Sequence, residues 1–297
     1  MKPKLCSLAV SLLAIAALPA FASTSIDKTV AVAANGIVHI SNVAGSVDVT
    51  TWNRAQVHIG GTLGAEVKKL AIDKTDGGVD IRVIYPDHGN AEGSHLVVKL
   101  PSASHLHVTT VSADISAIGL SGPVDLQSVS GDVKVRSTSA NLHAQSVSGD
   151  VVIDGSAPTA QVSAKSINGE VQVDGVGGDL EAHSVSGDLH VKADHPVTGA
   201  KFDTVSGDIE FAGGLDAKGN YDFHSTSGDV TLELAQVPAA SFDASSFSGD
   251  ISADFGPKPR SKSEFGPGME WQFNHAGDGQ VTITTLSGDI RVHATRH

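Results

Sequence analysis

The chain of 297 residues has one cysteine, two tryptophans and two tyrosines, and aromatic residues make up only 4% of it. Cys6 lies within the first 22 residues, so the chain beyond them contains no thiol, which excludes disulfides and cysteine metal sites there. Few aromatic residues and 32 glycines are typical of thin β layers rather than of a thick globular core. A hydrophobic content of 40% still provides enough apolar side chains for a narrow continuous core.

The chain also lacks the short motifs of common enzyme classes. It has no Gly-x-Ser-x-Gly elbow, no phosphate-binding glycine-rich loop and no His-Glu-x-x-His. Parallel β-helix enzymes that act on polysaccharides are the nearest enzyme class, but they gather Asp, Lys and Arg into a cleft between long loops, whereas here the turns are short and only six arginines occur. The sequence therefore predicts a protein that is not an enzyme, and it assigns no catalytic, cofactor-binding or metal-binding residues.

Positive charge is scarce as well. Beyond residue 22 the chain has 18 Lys and Arg against 33 Asp and Glu, a formal charge of −15. Such a balance argues against nucleic acid or anionic lipid as a partner and favours cations or basic surfaces.

Residues 1–22 have the pattern of a secretory signal peptide. Lys2 and Lys4 precede an apolar run from Leu5 to Leu18, and Ala20-Phe21-Ala22 is a small-x-small cleavage site. The apolar run is too short to span a bilayer, and no other segment is a better candidate for a membrane span. We expect export to the periplasm or the cell surface.

The most prominent positive feature is the tripeptide Ser-Gly-Asp, which recurs along most of the chain. It ends at Asp132, Asp150, Asp188, Asp208, Asp229, Asp250 and Asp289, and the variants Ser-Ala-Asp and Asn-Gly-Glu end at Asp114 and Glu170. From Asp114 to Asp250 the steps between these acids are 18 to 21 residues. A period near 20 residues indicates one structural unit stacked on copies of itself.

Apolar residues occupy every second position on both sides of the tripeptide. In one repeat they are Val162 and Ala164 before the turn and Val171 and Val173 after it. Polar residues such as Lys165 and Gln172 lie between them, so each repeat holds two short strands with one buried face. The predicted fold is all-β: a β-solenoid, or parallel β-helix-like stack, of two-strand rungs with a C-terminal cap.

The regularity of the repeat divides the chain. Residues 23–105 are predicted to form an irregular N-terminal β section, in which the frame fits around Gly45 and has a weaker echo around Gly77, with a loop at 87–94. Residues 106–253 form the regular solenoid. Residues 254–297 combine a last rung with a capping insertion that contains Met269, Trp271 and Phe273 and is expected to cover the open end of the stack.

The column of acids has two interpretations. Glycine would give the turn a backbone angle that is closed to other residues, with the acid and serine bonded to the turn's own amides. Carboxylates stacked about 4.8 Å apart would repel one another by roughly 1 kcal/mol even in water-like screening. The second interpretation is therefore that neighbouring pairs share a divalent cation such as calcium. The structural turn is the favoured interpretation. The hydroxyl column four residues before the acid is predicted to face inward and to do no chemistry.

One outward column raises a second metal hypothesis. Five residues before the acid, consecutive rungs carry His183, Asp203 and His224. These are ligand types for zinc or copper. The two histidines are two rungs apart, roughly 10 Å, so a solvated face is favoured over a metal site.

The chain resembles a bacterial β-strand-repeat family of unknown function, whose members are often labelled candidate adhesins. The resemblance rests on the serial VSGDV and STSGDV motifs, on GIVHISNVAGSVDVTTWNRAQVHI, on VVKLPSASHLHVTTVSADI, and on FGPGMEWQF followed by GQVTITTLSGDIRV. It covers nearly all of residues 27–293 and implies an exported β-solenoid-like domain without established catalytic residues. Ala113 in place of glycine and Glu170 in place of aspartate depart from the repeat and argue against one ligand bound at every rung.

Together these features predict a non-catalytic, exported cell-envelope protein that presents a rigid acidic β-solenoid surface for binding or scaffolding, in adhesion or in envelope stress. The expected partner is an envelope polymer or protein, with no nucleic acid, no membrane span and no cofactor. A self-assembling structural protein is the main alternative, and a polysaccharide-acting β-helix enzyme is the third.

Overall fold

The computed structural model describes residues 23–87, 91–263 and 267–295. The predicted secretory signal, Cys6 and residues 88–90 of the predicted loop lie outside these ranges. In the described part the secondary structure consists of 25 strands and contains no helix. The chain is therefore all-β, as its period-2 pattern predicts.

The strands divide between an N-terminal section and the repeats. The first seven are β1 (Thr24–Ala31), β2 (Ile37–Trp52), β3 (Gln56–Leu63), β4 (Lys69–Thr75), β5 (Gly78–Ile84), β6 (Ser94–Pro101) and β7 (His105–Leu120). The next eight are β8 (Val124–Gln127), β9 (Val133–Ser137), β10 (Asn141–Gln145), β11 (Val151–Gly155), β12 (Ala160–Lys165), β13 (Val171–Asp174), β14 (Gly178–His183) and β15 (Leu189–Lys192). The last ten are β16 (Val197–Thr204), β17 (Ile209–Gly213), β18 (Leu215–Ser225), β19 (Val230–Leu234), β20 (Ala240–Ser246), β21 (Ile251–Ala253), β22 (Arg260–Ser261), β23 (Met269–Asn274), β24 (Gly279–Thr285) and β25 (Ile290–Ala294).

Each repeat contributes one strand before the Ser-Gly-Asp turn and one after it, and the two sets form two parallel ladders. The first ladder runs β5-β2-β7-β8-β10-β12-β14-β16-β18-β24-β20. The second runs β6-β2-β7-β9-β11-β13-β15-β17-β19-β25-β21. Strands β2 and β7 belong to both ladders because each continues without a break through the corner, the turn that separates the two strands of the other rungs. The fold is a β-solenoid of two-strand rungs, as predicted.

The core lies between the two ladders. The alternate apolar positions that the repeat predicts are buried, among them Val162 and Val171. Where two neighbouring rungs carry phenylalanine at these positions, the rings of Phe202, Phe211 and Phe223 pack together, with centroids 5.2 to 6.1 Å apart. The core is one residue deep on each face, which agrees with the low aromatic content.

At the Ser-Gly-Asp corner the stacking continues without a break. The Ser148 amide donates to the Val129 carbonyl of the previous rung (2.9 Å), and equivalent bonds recur at later corners. A Cβ added to Gly149 would overlap the carbonyl oxygen of Gly131, and the other corner glycines have the same neighbour one rung back. None of the corner glycines of the Ser-Gly-Asp turns has a positive φ. The expectation of a special backbone angle was wrong: glycine is needed because successive turns touch.

The hydroxyl column four residues before the acid links each turn to the one before it. Ser146 Oγ accepts a hydrogen bond from the Gly149 amide of its own turn (3.0 Å) and donates one to the Gly131 carbonyl of the previous rung (2.9 Å). The other buried members that donate to a glycine carbonyl are Ser166, Ser184, Thr204, Ser225, Thr285 and Ser246. The column is an inward hydroxyl ladder, as predicted.

Near both ends, the order of rungs in space differs from their order in the sequence. At the C-terminal end β24 lies between β18 and β20, and β25 lies between β19 and β21. At the N-terminal end β2 lies between the rung of β5 and β6 and the rung of β7. The weaker match of the repeat around Gly77 predicted a rung made of the two strands that flank this glycine. That prediction was wrong, because these strands, β4 and β5, form an antiparallel hairpin.

Antiparallel strands close both ends of the stack. At the C-terminal end β23 pairs with β20, and the Trp271 ring, 1% exposed, packs against Phe242, Phe255 and Phe273 while its Nε1 donates to the Pro257 carbonyl (2.9 Å). At the N-terminal end β4 covers the first ladder, and β3 and β1 cover the second. The capping role predicted for Trp271 and Phe273 is confirmed.

Substituting a corner glycine should destabilise the fold strongly. Gly149→Ala places a methyl group against the Gly131 carbonyl and should lower the free energy of unfolding by about 1–3 kcal/mol or more. The control is Gly214→Ala, where an added Cβ meets no heavy atom within 4 Å. Urea denaturation of both variants measures the difference. Equal stability of the two would contradict close stacking as the reason for glycine.

Removing a hydroxyl from the inward ladder should also destabilise the chain. Ser146→Ala leaves the Gly149 amide and the Gly131 carbonyl without their partner, which should cost about 1–3 kcal/mol. Ser148→Ala, in the same turn but exposed, should change the stability by less than about 0.5 kcal/mol. Thermal unfolding of the pair tests this, and a neutral Ser146→Ala would show that the ladder carries no stability.

Candidate binding surface

A column of mostly apolar, exposed side chains runs along the corner, three residues before each acid and, in the first rung, three residues before Ser46. In spatial order its members are Val43, Val111, Val129, Val147, Ile167, Val185, Val205, Leu286 and Phe247, with Thr226 in the rung between Val205 and Leu286. Their exposed fractions range from 38% for Val147 to 54% for Phe247. The described part of the chain has twelve exposed large apolar side chains, and nine of them lie in this apolar column.

Sequence reasoning missed this column although its signal was present. The valine of the serial VSGD motif stands between the inward hydroxyl and the glycine, where an outward polar residue is the ordinary choice. Ser148 and Ser186, one position later, are exposed and polar. An apolar residue at almost every rung of an exposed column is therefore the unusual feature.

The acids form a second column beside the apolar one. The Asp132 amide donates to Asp114 Oδ1 (3.0 Å), and the Asp150 amide donates to Asp132 Oδ1 (3.2 Å). The same bond joins Glu170 to Asp150, Asp208 to Asp188, Asp229 to Asp208, Asp289 to Asp229 and Asp250 to Asp289. All acids of the column except Glu170 and the last, Asp250, thus accept an amide N–H from the next rung, which offsets the repulsion between stacked charges. We call the apolar column and this acid column together the turn edge.

Glu170 interrupts the ladder. Among the described hydrogen bonds none joins its carboxylate to the Asp188 amide, and Glu170 instead lies 3.7 Å from His190 Nε2. The longer glutamate side chain therefore pairs with the broad face of the solenoid rather than with the next turn. Near the other end, Arg291 bridges two acids of the column, with Nη1 2.7 Å from Asp229 and Nη2 2.8 Å from Asp289.

The Asp289 amide and Arg291 both stabilise the charged form of Asp229. The amide hydrogen bond is the larger cause and the guanidinium the second, and together they lower the pKa of Asp229 below its ordinary value. The column is therefore ionised at neutral pH at this rung, with its charges held by amides and, here, by one arginine.

On the face of the first ladder, carboxylates pair with Lys and His side chains of the same rung and of neighbouring rungs. Glu181 accepts hydrogen bonds from His183 Nε2 (2.8 Å), Lys165 Nζ (3.3 Å) and Ser163 Oγ (3.1 Å). Burial raises the pKa of Glu181, but these three hydrogen bonds outweigh it and lower that pKa to about 2. His183 Nδ1 lies 3.1 Å from Asp203 on its other side. This face is a network of ion pairs.

The three residues of the transition-metal hypothesis lie on this face. The strand register places Asp203 beside His183 and His224 beside Asp203. His183 uses both ring nitrogens on carboxylates, one from Glu181 and one from Asp203. In residues 23–87, 91–263 and 267–295 no group of three or more His, Cys, Asp or Glu side chains is arranged to hold a metal ion.

The face of the second ladder carries a shallow depression rather than a cleft. It has a volume of about 210 Å³ and lies over the small side chain of Ala212, between His190, Lys192, Glu210 and Glu233. His190 Nδ1 is paired with Glu210 at 3.0 Å. The depression is open to solvent.

Across the described residues, no helix has the length and hydropathy needed to cross a membrane. None of the curated proteins matches the chain.

Several solved structures match at low identity. A candidate adhesin from Bacteroides fragilis NCTC 9343 shares 10% identity, covers 92% of this chain and 99% of its own, and superposes with a TM-score of 0.46. A candidate adhesin from Parabacteroides merdae ATCC 43184 shares 13% identity over 92% of this chain and 96% of its own, with a TM-score of 0.27. A candidate cell adhesion protein from Clostridium sporogenes ATCC 15579 shares 10% identity over 92% of this chain and 100% of its own, with a TM-score of 0.24.

The family match is the stronger finding. The model of the Toastrack DUF4097 family matches residues 87–213 and 212–293, which together are more than half of the chain and include every Ser-Gly-Asp corner. The chain belongs to the Toastrack DUF4097 family.

Proposed function

We propose that the chain is exported to the bacterial cell envelope, where its long lateral surface binds an envelope polymer or protein at many equivalent points, without catalysis. The observation that carries this proposal is the strict register of the rungs: the same exposed positions recur along two continuous ladders, with about 4.8 Å between neighbouring rungs. A repetitive rigid surface favours multivalent contact, in which many weak contacts add to a useful affinity.

Export is supported by the pattern of residues 1–22. Non-catalytic binding is supported by the open shape of the charged faces, since the depression over Ala212 is open to solvent and its histidine, His190, is paired with Glu210. The net charge of −15 beyond residue 22 favours partners that are basic or neutral.

Self-assembly end to end is the competing structural function. The antiparallel strands β4, β3 and β1 at one end and β23 at the other argue against it, because they cover both ladders at the first end and the edge of the first ladder, β20, at the second. Sedimentation of residues 23–297 over a concentration series distinguishes the two: a constant mass agrees with lateral binding, and growing polymers would favour assembly.

Multivalent binding predicts that affinity depends on the number of rungs. Deleting residues 151–188 joins Asp150 to Leu189 and removes two whole rungs in register. If an avidity of about 10² to 10⁴ is spread over about ten rungs, the loss of two should weaken binding by roughly 2.5- to 6-fold. The measurement is a binding assay of residues 23–297 and of this variant against peptidoglycan and other envelope polysaccharides, with cleavage products assayed in parallel.

Two controls make the result decisive. Circular dichroism and thermal unfolding show that the shortened chain keeps its β structure, and a short soluble fragment of the same polymer should bind both proteins with equal affinity per site. A folded variant that binds the long polymer as tightly as the parent, or release of cleavage products by the parent, would overturn the proposal.

A further inference from the structure

We propose that the turn edge binds a basic amphipathic helix of another protein. This inference rests on the proposed binding function and names the part of the lateral surface and the class of partner involved. It is carried by three features of the turn edge: exposed apolar side chains, the spacing of the rungs and carboxylates that lack basic partners.

The apolar column is the first feature. Contiguous exposed apolar surface on a soluble protein marks an interaction site, because exposure to water is unfavourable and nothing in the fold requires it. Ten successive rungs span roughly 43 Å at about 4.8 Å each. The side chains of Val147 and Phe247 are 38% and 54% exposed in the protein alone. A bound partner would bury much of this exposed apolar surface.

The spacing of the column is the second feature. Residues on one face of an α-helix recur about every 5.4 Å, whereas residues on one face of a strand recur about every 6.8 Å. When a helix lies along the column, its pitch exceeds the rung spacing by roughly 0.6 Å per turn. Over four turns the difference adds up to roughly 2.4 Å, which is half of one rung spacing. A helix of about four to five turns therefore matches the column, and an extended strand does not.

Charge is the third feature. Asp150, Asp188 and Asp208 each give one carboxylate oxygen to an amide of the next rung. In the part of the chain that the structure describes, none of these three forms an ion pair with a basic side chain, in contrast to Asp229 and Asp289, which hold Arg291. Asp208 interacts with the charge of Arg291 at longer range, so Asp150 and Asp188 are the acids with no basic neighbour. The middle of the turn edge thus places uncompensated negative charge beside exposed apolar side chains. Lys or Arg flanking an apolar seam complements both.

The same charges disfavour the other candidates for this surface. A second copy of the turn edge would bring two acid columns together, and an anionic lipid surface would meet the same repulsion. Each of these occupants gives a distinct outcome in the experiment below.

The probe is an 18-residue amphipathic peptide of leucine and lysine, labelled and titrated with residues 23–297 by fluorescence anisotropy, with circular dichroism to follow helix formation. A peptide of the same pattern with glutamate in place of lysine is the matched control. We expect the lysine peptide to bind and become helical, and we expect the glutamate peptide to bind at least roughly tenfold more weakly.

Three variants locate the site. Val147→Ser, Ile167→Ser and Val185→Ser together remove the apolar column at the centre without changing the net charge. Asp150→Asn, Asp188→Asn and Asp208→Asn remove charge but keep an oxygen acceptor for each ladder amide. Each triple variant should weaken binding by roughly tenfold or more. The control for the second is Asp222→Asn, Asp243→Asn and Glu233→Gln, exposed acids on the broad faces, which should change the affinity by less than about twofold.

Four results would overturn the inference. Equal weakening by the edge acids and the control acids would mean generic electrostatic attraction, and equal binding of both peptides would mean apolar adhesion alone. Binding to anionic vesicles that the serine variant abolishes would assign the column to membrane contact. A concentration-dependent dimer that the serine variant abolishes would assign it to a second copy. If polymer affinity still depends on rung number in any of these cases, the inference fails while the proposed function stands.

Discussion

Successive turns approach so closely at the Ser-Gly-Asp corner that no side chain fits between a glycine and the carbonyl oxygen of the glycine one rung back. This contact sets the rung spacing at one side of the solenoid, and the three residue types follow from it. Glycine allows the approach, the inward hydroxyl of Ser146 bonds amide and carbonyl groups that the corner would leave unpaired, and Asp132 receives the amide of the next turn. A corner built in this way repeats only in register, so the two ladders inherit its order.

The same constraint explains why the surface is both charged and regular. An acid that accepts an amide must point along the stack at the corner, so negative charge accumulates in one column whatever the rest of the surface carries. On the broad faces no such requirement exists, and several charges there pair across rungs, as Glu181 does with Lys165 and His183 with Asp203. Ion pairs across rungs therefore occur on the faces, whereas Asp150 and Asp188 in the middle of the edge have none among the described residues. Recognition by charge is strongest where pairing is weakest.

Much of this architecture could be predicted from the sequence, because period and alternation are local properties. The inward positions such as Val162 and Val171 follow from the repeat, and so does the ladder of hydroxyls. The reason for glycine could not be predicted from the sequence. A close approach between turns about 20 residues apart and a positive φ both require glycine, so the sequence does not distinguish the two causes. The exposure of the apolar column at Val147 was not predicted, although its valine is part of the repeat. The structure distinguishes an outward apolar residue from a buried one. The order of rungs at the ends depends on long-range pairing that no local pattern encodes.

The intercalated rung of β24 and β25 makes the C-terminal end of the stack depend on late synthesis. Both of its neighbours, the rung of β18 and β19 and the rung of β20 and β21, precede it in the chain. The solenoid therefore cannot be completed by adding each rung to the preceding one as translation proceeds. The position of the rung of β24 and β25 must stay empty until after the cap strand β23 has been synthesised. Proteolytic loss of residues 279–297 would not trim the solenoid by one layer. It would disconnect the cap from the body and expose two unpaired faces at once.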